Sequence, residues 1–348
     1  MSLKNKAKKL WDQYLISQRV KELRDFAKSN THGQHVTKEE EKRIRALFEP
    51  YFPVDLSFHN FFYEKVPENR AINYIPDEIH YNYVDAYFND WREANYADNK
   101  CFYPRMFQGI RHPDTLAYRM NGMWFVGDYQ PVTREQMLRV LAEEPEIVVK
   151  KAMGSEGGLG VFFVKGTEFP SVEGRIRDDI VIQRPIVQHP QLSAVNPTSI
   201  NTIRILSLLS EDGVKLYSAV LRIGTGGARV DNGTSGGISC GITWEGRLKK
   251  YAYLVCGDRC DVHPDTGLVF EGHAIPSFDK CMELVPKLHW QVPRFRMISW
   301  DFSVNPEGEP VLVEANLHYG GIEIHQLNNG PLFGEDTEKI LKEVFGKK

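Results

Sequence analysis

The chain has 348 residues, of which 42% are hydrophobic, and its formal net charge is −3. Such a length can bury a large core and predicts two or three lobes, while the near-neutral charge excludes a strongly basic nucleic-acid-binding surface. The five cysteines are scattered, and the sequence has neither a signal-peptide pattern nor an apolar run of about 18 residues. These features predict a reduced, cytoplasmic protein.

Residues 1–95 form a helical, aromatic-rich N-terminal region in this interpretation. Apolar side chains recur at three- and four-residue steps before residue 16, with four lysines among them. Such a basic amphipathic helix could make peripheral contact with the inner face of a membrane, although docking on the protein itself is the favoured alternative. Residues 37–40 resemble a capping box. The aromatic residues between 50 and 95 have few cationic neighbours, which favours packing between short helices over stacking on nucleic acid.

A second unit begins near residue 96, and its central feature is a glycine-rich loop. The sequence predicts a strand at 124–126, a helix at 133–142, and two strands at 146–151 and 161–164. Four glycines lie between the last two strands: Gly154, Gly157, Gly158 and Gly160. Backbone N–H groups of such a loop can surround phosphate oxygens, and Lys150 at the strand end adds a positive charge. The strand that follows excludes a Walker P-loop and a Rossmann fingerprint, both of which need a helix there, and an ordinary turn stays the alternative.

Three further strands are predicted at 179–186, 200–209 and 214–223, with a turn at 211–213. Arg204 and Arg222 each interrupt a mainly apolar strand. A buried guanidinium needs an anionic partner, which is either a protein carboxylate or a bound phosphate. The segment 224–241 contains seven glycines and is predicted to be a surface loop or a mobile element over a site. A final helix is predicted at 336–345.

Residues 298–316 read as an antiparallel hairpin around an Asn-Pro-Glu-Gly-Glu-Pro turn. If Val304 faces Val311, Asp301 lies opposite Glu314, and strand alternation brings Asn316 to the same face. Three oxygen-bearing side chains would then converge on one surface, which predicts a site for a hard divalent cation, Mg²⁺ before Ca²⁺. A solvated polar face is the alternative, and the large apolar neighbours argue against it.

Together these motifs resemble the ATP-grasp enzymes, and among them the sugar-transfer-associated ATP-grasp family. The resemblance covers roughly residues 70–330. It rests on Asp98-Asn99-Lys100, Val149-Lys150 with the loop to Gly160, Gln188-His189-Pro190, Asn201-Thr202-Ile203-Arg204, Asp231-Asn232, and Asp301 with Glu314-x-Asn316. It implies an α+β ATP-grasp fold, in which two α+β lobes grip ATP behind a helical N-terminal extension. We therefore expect a small lobe at 96–184, which contains the glycine-rich loop, and a large lobe at 185–348, which contains the metal site.

The same resemblance implies a role for each matching residue. The phosphates of ATP would be contacted by Lys100, Lys150 and the loop residues Gly154, Ser155, Gly157, Gly158 and Gly160. Adenine would be bordered by Gln183, Arg184, Pro185 and Ile186, although a Glu is common near the start of this connector and Gln183-Arg184 stands here. Arg204 and Arg222 would face the transferred phosphoryl group. Two Mg²⁺ ions would be held by Asp301, Glu314 and Asn316. The choice of Lys150 over Lys151 depends on strand register.

The implied activity is an ADP-forming ligase that joins a carboxylate to an amine or another nucleophile through an acylphosphate, in polysaccharide or glycoconjugate biosynthesis. Its partner would be a small-molecule or glycan-precursor substrate, and no nucleic acid is expected. Positioning and charge neutralisation would supply the catalysis. Two alternatives stay open: a kinase on the same scaffold that phosphorylates a sugar or polyol hydroxyl, and an inactive nucleotide-binding module of a glycosyl-transfer assembly.

Overall fold

The strands predicted around the glycine-rich loop belong to one antiparallel sheet of six strands. The computed structural model describes residue 18 and residues 20–154, 160–233 and 236–346. In this sheet the order is β3-β2-β1-β6-β4-β5. The strands are β1 Thr115–Met120, β2 Met123–Val126, β3 Gln130–Val132, β4 Ile147–Lys151, β5 Val161–Val164 and β6 Ile180–Gln183. One face packs on the helix Arg134–Ala142, which begins after Thr133 because that side chain accepts a hydrogen bond from the Gln136 N–H.

The second sheet has seven strands in the order β11-β10-β9-β8-β7-β12-β13. They are β7 Thr202–Ser210, β8 Gly213–Ile223, β9 Ile238–Ile242, β10 Leu248–Tyr253, β11 Arg259–Cys260, β12 Met297–Val304 and β13 Pro310–Asn316. The two long strands predicted before and after residue 212 are thus confirmed as β7 and β8. The predicted end of the loop at residue 241 is wrong, because Ile238 begins β9 and extends the sheet beside β8.

The core of the large sheet lies on the face opposite the charged residues. Ile203, Ile205, Trp300 and Phe302 are buried there in one cluster with the helix Phe278–His289. Trp300 donates its indole N–H to Ser207 Oγ at 2.8 Å, so the polar atom of this large side chain is satisfied inside the core. Alternation along β7 and β12 therefore leaves Arg204 and Asp301 for the other face.

The hairpin of β12 and β13 has a different register from the predicted one. Val304 pairs with Pro310 and Ser303 with Val311, so the predicted facing of Val304 and Val311 is wrong. The pairing shifts between Asp301 and Phe302, and Val313 is the extra residue. Because of that shift, Asp301 still lies opposite Glu314, as predicted.

The N-terminal region packs its aromatic side chains against the C-terminal end of the chain. The capping box of Thr37 and Glu40 is confirmed, and Tyr51 stacks on Phe345 with ring centroids 5.4 Å apart. The final helix, predicted at 336–345, is Thr337–Gly346. The predicted amphipathic helix before residue 16 lies outside the described residues. In the part of the chain that is described, no helix has the length and apolar character needed to cross a membrane.

The remaining helices connect these units or lie beside them. Residues 20–29 are helical. The others are Lys38–Phe48, Ser57–Lys65, Asp77–Ile79, Asp85–Phe88, Trp91–Ala97, Tyr103–Met106, Pro170–Glu173, Pro190–Val195 and Glu323–Asn329, with a π-helix at His80–Val84 and 3-10 turns at Gly166–Glu168 and Gly334–Asp336.

Candidate functional site

Three charged side chains form a row across the polar face of the large sheet. Glu314 on β13 pairs with Asp301 on β12, and Asp301 pairs with Arg204 on β7. Directly paired residues of antiparallel strands point to the same face, so two neighbouring carboxylates and one guanidinium lie side by side across three strands. The sequence signal for this row is a charged residue inside each of three otherwise apolar strands.

Asp301 is the centre of this row, and both oxygens of its carboxylate accept hydrogen bonds. It accepts from Arg204 Nε and Arg204 Nη2, both at 2.7 Å, from Arg222 Nη1 at 3.1 Å and from Asn316 Nδ2 at 3.3 Å. Three of these hydrogen bonds are made to Oδ2 and one is made to Oδ1, so the donors are concentrated on Oδ2. The sequence left two possible partners for Arg204 and Arg222, a protein carboxylate or a phosphate. In this structure the partner is a carboxylate.

Burial makes these charge pairs strong. Asp301 is 1% exposed and Arg204 8% exposed. Burial on its own disfavours the charged form of each group. The attraction between the carboxylate and the guanidinium is larger than this effect and favours the charged form of both. As a result, the pKa of Asp301 is lowered and the pKa of Arg204 is raised from the ordinary values.

Lys100 lies at the other end of the row. Its Nζ donates to Glu314 Oε1 at 2.6 Å, and its backbone N–H donates to Ala152 O at 2.9 Å, which ties this turn to the end of β4. Burial works against the ammonium, yet Glu314 and Asp98 leave the pKa of Lys100 raised. Burial raises the pKa of Asp98 to about 6, and Glu314 adds to that rise.

Lys150 faces the same cavity from β4, and Lys151 does not. Lys150 lines the cavity, whereas Lys151 Nζ lies 3.0 Å from Asp178 Oδ2 in an ion pair. Burial, reinforced by the positive charge of Lys100, lowers the pKa of Lys150 to about 8. The register therefore agrees with the choice of Lys150 as the inward lysine.

The glycine-rich loop joins β4 to β5, and the structure describes its two ends, Gly154 and Gly160. Gly154 has a φ of +59° and Gly160 a φ of +78°, a left-handed conformation that glycine adopts without steric cost. Gly154 lines the cavity. Ser155, Gly157 and Gly158 lie outside the described residues, so their predicted contacts with phosphate stay predictions.

The connector after β6 borders the cavity. Arg184, Pro185 and Ile186 line it, and the Arg184 side chain also pairs with Glu144 at 2.5 Å. Gln183 does not line this cavity; its Nε2 donates to Thr115 Oγ1 at 3.1 Å on the neighbouring strand β1. Gln183 pairs with Val148 of β4, two residues before Lys150, so its side chain lies on the same sheet face as Lys150. Its predicted contact with adenine stays a prediction.

The predicted metal ligands meet at one surface, and they differ in availability. Asn316 donates Nδ2 to Ser299 O at 3.0 Å as well as to Asp301, and both Asn316 and Glu314 line the cavity. Carboxylate and amide oxygens suit Mg²⁺, so Glu314 and Asn316 fit such an ion. Asp301 as a ligand stays a prediction, since both of its carboxylate oxygens accept hydrogen bonds from arginine or asparagine side chains. Among the described residues, no group of three or more His, Cys, Asp or Glu side chains is arranged to hold a metal.

Asp231 is a site residue that the sequence interpretation did not select as a ligand or catalyst. Its Oδ1 lies 3.3 Å from Arg222 Nη2, and its Oδ2 is buried without a hydrogen-bond partner in the described part of the chain. Burial raises the pKa of Asp231. The only sequence signal was its place in the Asp-Asn pair between glycines, which does not indicate where the loop folds.

One cavity of about 960 Å³ between the two sheets is lined by Lys100, Lys150, Arg204, Asp231, Asp301 and Glu314. Lys150 and Gly154 come from the small sheet, and Arg204, Asp301 and Glu314 come from the large one. Cations at both walls and carboxylates between them form a surface that can neutralise and orient a polyphosphate.

The chain resembles a known family and several solved structures. A family profile described as sugar-transfer associated ATP-grasp matches residues 167–342. Similar structures include an ADP complex of purK, N5-carboxyaminoimidazole ribonucleotide synthetase (9% identity, TM-score 0.39, 64% of this chain and 46% of that chain). Another is the ATP-grasp ligase PsnB with minimal precursor, Mg and ADP (12% identity, TM-score 0.42, 74% of this chain and 62% of that chain). A third is the D-alanine-D-alanine ligase from Coxiella burnetii (14% identity, TM-score 0.39, 71% of this chain and 58% of that chain). The chain thus spans less than two thirds of the length of each. No curated protein matches it.

Proposed function

The chain belongs to the sugar-transfer associated ATP-grasp family, and from that premise we propose that it is an ATP- and Mg²⁺-dependent carboxylate–amine ligase. A substrate carboxylate attacks the γ-phosphate of ATP, which forms an acylphosphate and releases ADP. An amine then attacks the acyl carbon, the C–N bond forms, and phosphate leaves. The proposed pathway is polysaccharide or glycoconjugate biosynthesis, with a small-molecule or glycan-precursor substrate.

One observation carries this proposal: the cavity between the sheets is lined by Lys100, Lys150, Arg204 and Arg222 around the carboxylate of Asp301. In the proposed reaction, the two lysines bind and orient the phosphates, and the two arginines face the transferred phosphoryl group. Mg²⁺ held by Glu314 and Asn316 would neutralise phosphate charge. Positioning and electrostatic stabilisation are sufficient for phosphoryl transfer, so no protein nucleophile is required.

We also propose that residues 96–184 and 185–348 act as the two lobes that grip ATP, with residues 1–95 as the helical extension. The six-stranded sheet lies within the first range and the seven-stranded sheet within the second, which supports this division. In this proposal the protein is cytoplasmic and binds no nucleic acid. Peripheral membrane contact would involve residues before the described part of the chain.

The test is release of ADP by wild type and by Glu314→Gln with ATP, Mg²⁺ and panels of carboxylates and amines. Glu314→Gln keeps the size of the side chain but removes the negative charge that faces Lys100 and Mg²⁺. We expect at least a 100-fold loss of turnover, the usual scale for a group that stabilises charge in the transition state. Glu307→Gln, in the exposed turn of the same hairpin, is the matched control and should retain activity.

The products separate the alternatives. A ligase releases phosphate with ADP only when both acid and amine are supplied. Stable phosphate on a hydroxyl would replace the ligase proposal by the kinase, and absence of any ADP would leave the inactive module. Undiminished turnover in Glu314→Gln would contradict its role at the metal.

A further inference from the structure

The cavity continues beyond the charged row into the N-terminal region. Besides Lys150 and Glu314, it is lined by Phe26, Phe61 and Tyr81. Its volume of about 960 Å³ is near the upper end of the roughly 300–1,000 Å³ of small-molecule pockets, so a second ligand has room beside a nucleotide. The N-terminal wall comes from residues that precede the family match at 167–342.

A continuous series of contacts leads from the arginines to acidic side chains. Arg204 Nη1 donates to Gly320 O at 3.0 Å. A Cβ on Gly321 would lie 3.4 Å from Arg204 Nη1 and 3.3 Å from Glu323 Oε1, so both side chains lie beside the same turn. Glu323 Oε2 in turn accepts a hydrogen bond from Tyr81 Oη at 3.0 Å. Glu323 therefore lies between the basic wall of the cavity, which contains Arg204, and an acidic wall.

The acidic wall extends through the helix that carries Tyr81. Burial raises the pKa of the Tyr81 phenol well above its usual value, and the charges of Glu323 and Asp77 raise it further, so both carboxylates lie near this ring. Arg24 Nη2 donates to Glu78 Oε1 at 2.6 Å, which holds the helical residues 20–29 against this element. Asp77 and Glu323 both line the cavity.

Phenyl rings cover the wall next to these carboxylates. Phe26 lies 6.2 Å from Phe61, Phe61 lies 5.3 Å from Phe62, and Phe58 lies 4.8 Å from Phe62, measured between ring centroids. All four line the cavity. The face of a phenyl ring carries partial negative charge, so rings beside carboxylates favour a cation that also has an apolar surface.

We propose that this N-terminal part of the cavity, named here the acceptor end and defined by Phe26, Phe61, Asp77, Tyr81 and Glu323, binds an acceptor with a protonated primary amine on a ring or another body with an apolar face. The ammonium lies between Glu323 and Asp77, and the apolar face lies on the phenyl rings. The proposal rests on the ligase function and names its acceptor class. The basic end beyond Arg204 repels the same ammonium, so one cavity separates the two substrates by charge.

The test is calorimetric binding of benzylamine and of its neutral analogue benzyl alcohol to the full chain saturated with Mg²⁺ and a non-hydrolysable ATP analogue. We expect benzylamine to bind about tenfold more tightly, which corresponds to about 1.4 kcal/mol. Glu323→Gln keeps an oxygen for the Tyr81 hydrogen bond and should reduce this preference to about threefold or less. Phe26→Leu, at a side chain that is 39% exposed, should weaken both probes to a similar extent.

Two outcomes would overturn the acceptor assignment. One is equal affinity of wild type for the amine and the alcohol, and the other is an amine preference that Glu323→Gln leaves unchanged. Binding of the nucleotide analogue is measured first, in the same samples, and Glu323→Gln should leave it unchanged. If wild type binds no nucleotide, the proposed function fails instead, so the two failures are distinguishable.

Discussion

Replacing Asp301 with Asn removes the carboxylate shared by Arg204 and Arg222 in the interior of the large sheet. The side chain keeps its size and one oxygen, so the packing around it is nearly preserved. What changes is charge: Arg204, 8% exposed, loses a two-point contact at 2.7 Å, and Arg222 loses its contact at 3.1 Å. The guanidiniums are then left with reduced compensation for their lost hydration.

The magnitude follows from this burial. Removing one partner of a buried ion pair costs about 3–5 kcal/mol of unfolding free energy, most of it from the charge left behind. The same Asp-to-Asn change at an exposed pair gives the scale for comparison. Asp212 is 84% exposed and lies 3.3 Å from Lys339 Nζ, and its loss should change stability by about 0.5 kcal/mol or less.

The assay is urea denaturation of Asp301→Asn, Arg204→Met and the double variant, without nucleotide, with Asp212→Asn as the control. We expect the double variant to lose less stability than the sum of the single variants, with a coupling energy of about 1–3 kcal/mol. Additive losses, or a loss in Asp301→Asn no larger than in the control, would refute the electrostatic account of this row.

Two further predictions concern the phosphate end of the cavity and the loop that carries Asp231. Lys150 has a pKa lowered to about 8, so its ammonium is present below that pH and lost above it. Calorimetry should therefore show weaker binding of an ATP analogue above pH 8 in wild type and no such fall in Lys150→Arg, because an arginine stays charged. Equal pH dependence of binding in the two proteins would be evidence against this role of Lys150. A Cβ on Gly224 would lie 2.6 Å from Ser199 Oγ and 2.8 Å from Val230 O. Gly224→Ala should therefore lower the free energy of unfolding by about 1–3 kcal/mol and lower the melting temperature. Gly174→Ala is the control, because its Cβ would meet nothing within 4 Å. Similar melting temperatures for the two variants would contradict the predicted clash at Gly224.

Much of the charged row could be predicted because it depends on local rules. Period-two alternation and a turn rich in proline and glycine define the hairpin, and a charged residue inside an apolar strand needs a buried partner. The pairing of Asp301 with Glu314 was correct although the predicted facing of Val304 and Val311 was not. One extra residue in β13 offsets the displaced turn, and nothing in the sequence indicates where a bulge falls.

The acceptor end could not be predicted because it depends on contacts between distant parts of the chain. The hydrogen bond from Tyr81 to Glu323 joins residues 242 positions apart. The aromatic content of residues 50–95 indicated packing, and that prediction is confirmed, but composition does not tell which rings also border a cavity.

The extra residue in β13 also decides what this strand presents to the cavity. Along a regular strand only every second side chain would face it, yet Val313 and its neighbour Glu314 both line it. A single strand thus offers an apolar surface and a carboxylate side by side. If β13 were one residue shorter at this point, only one of these two side chains would face the cavity. A change of length here, unlike one in an outer loop, should therefore be poorly tolerated in any active variant of this chain.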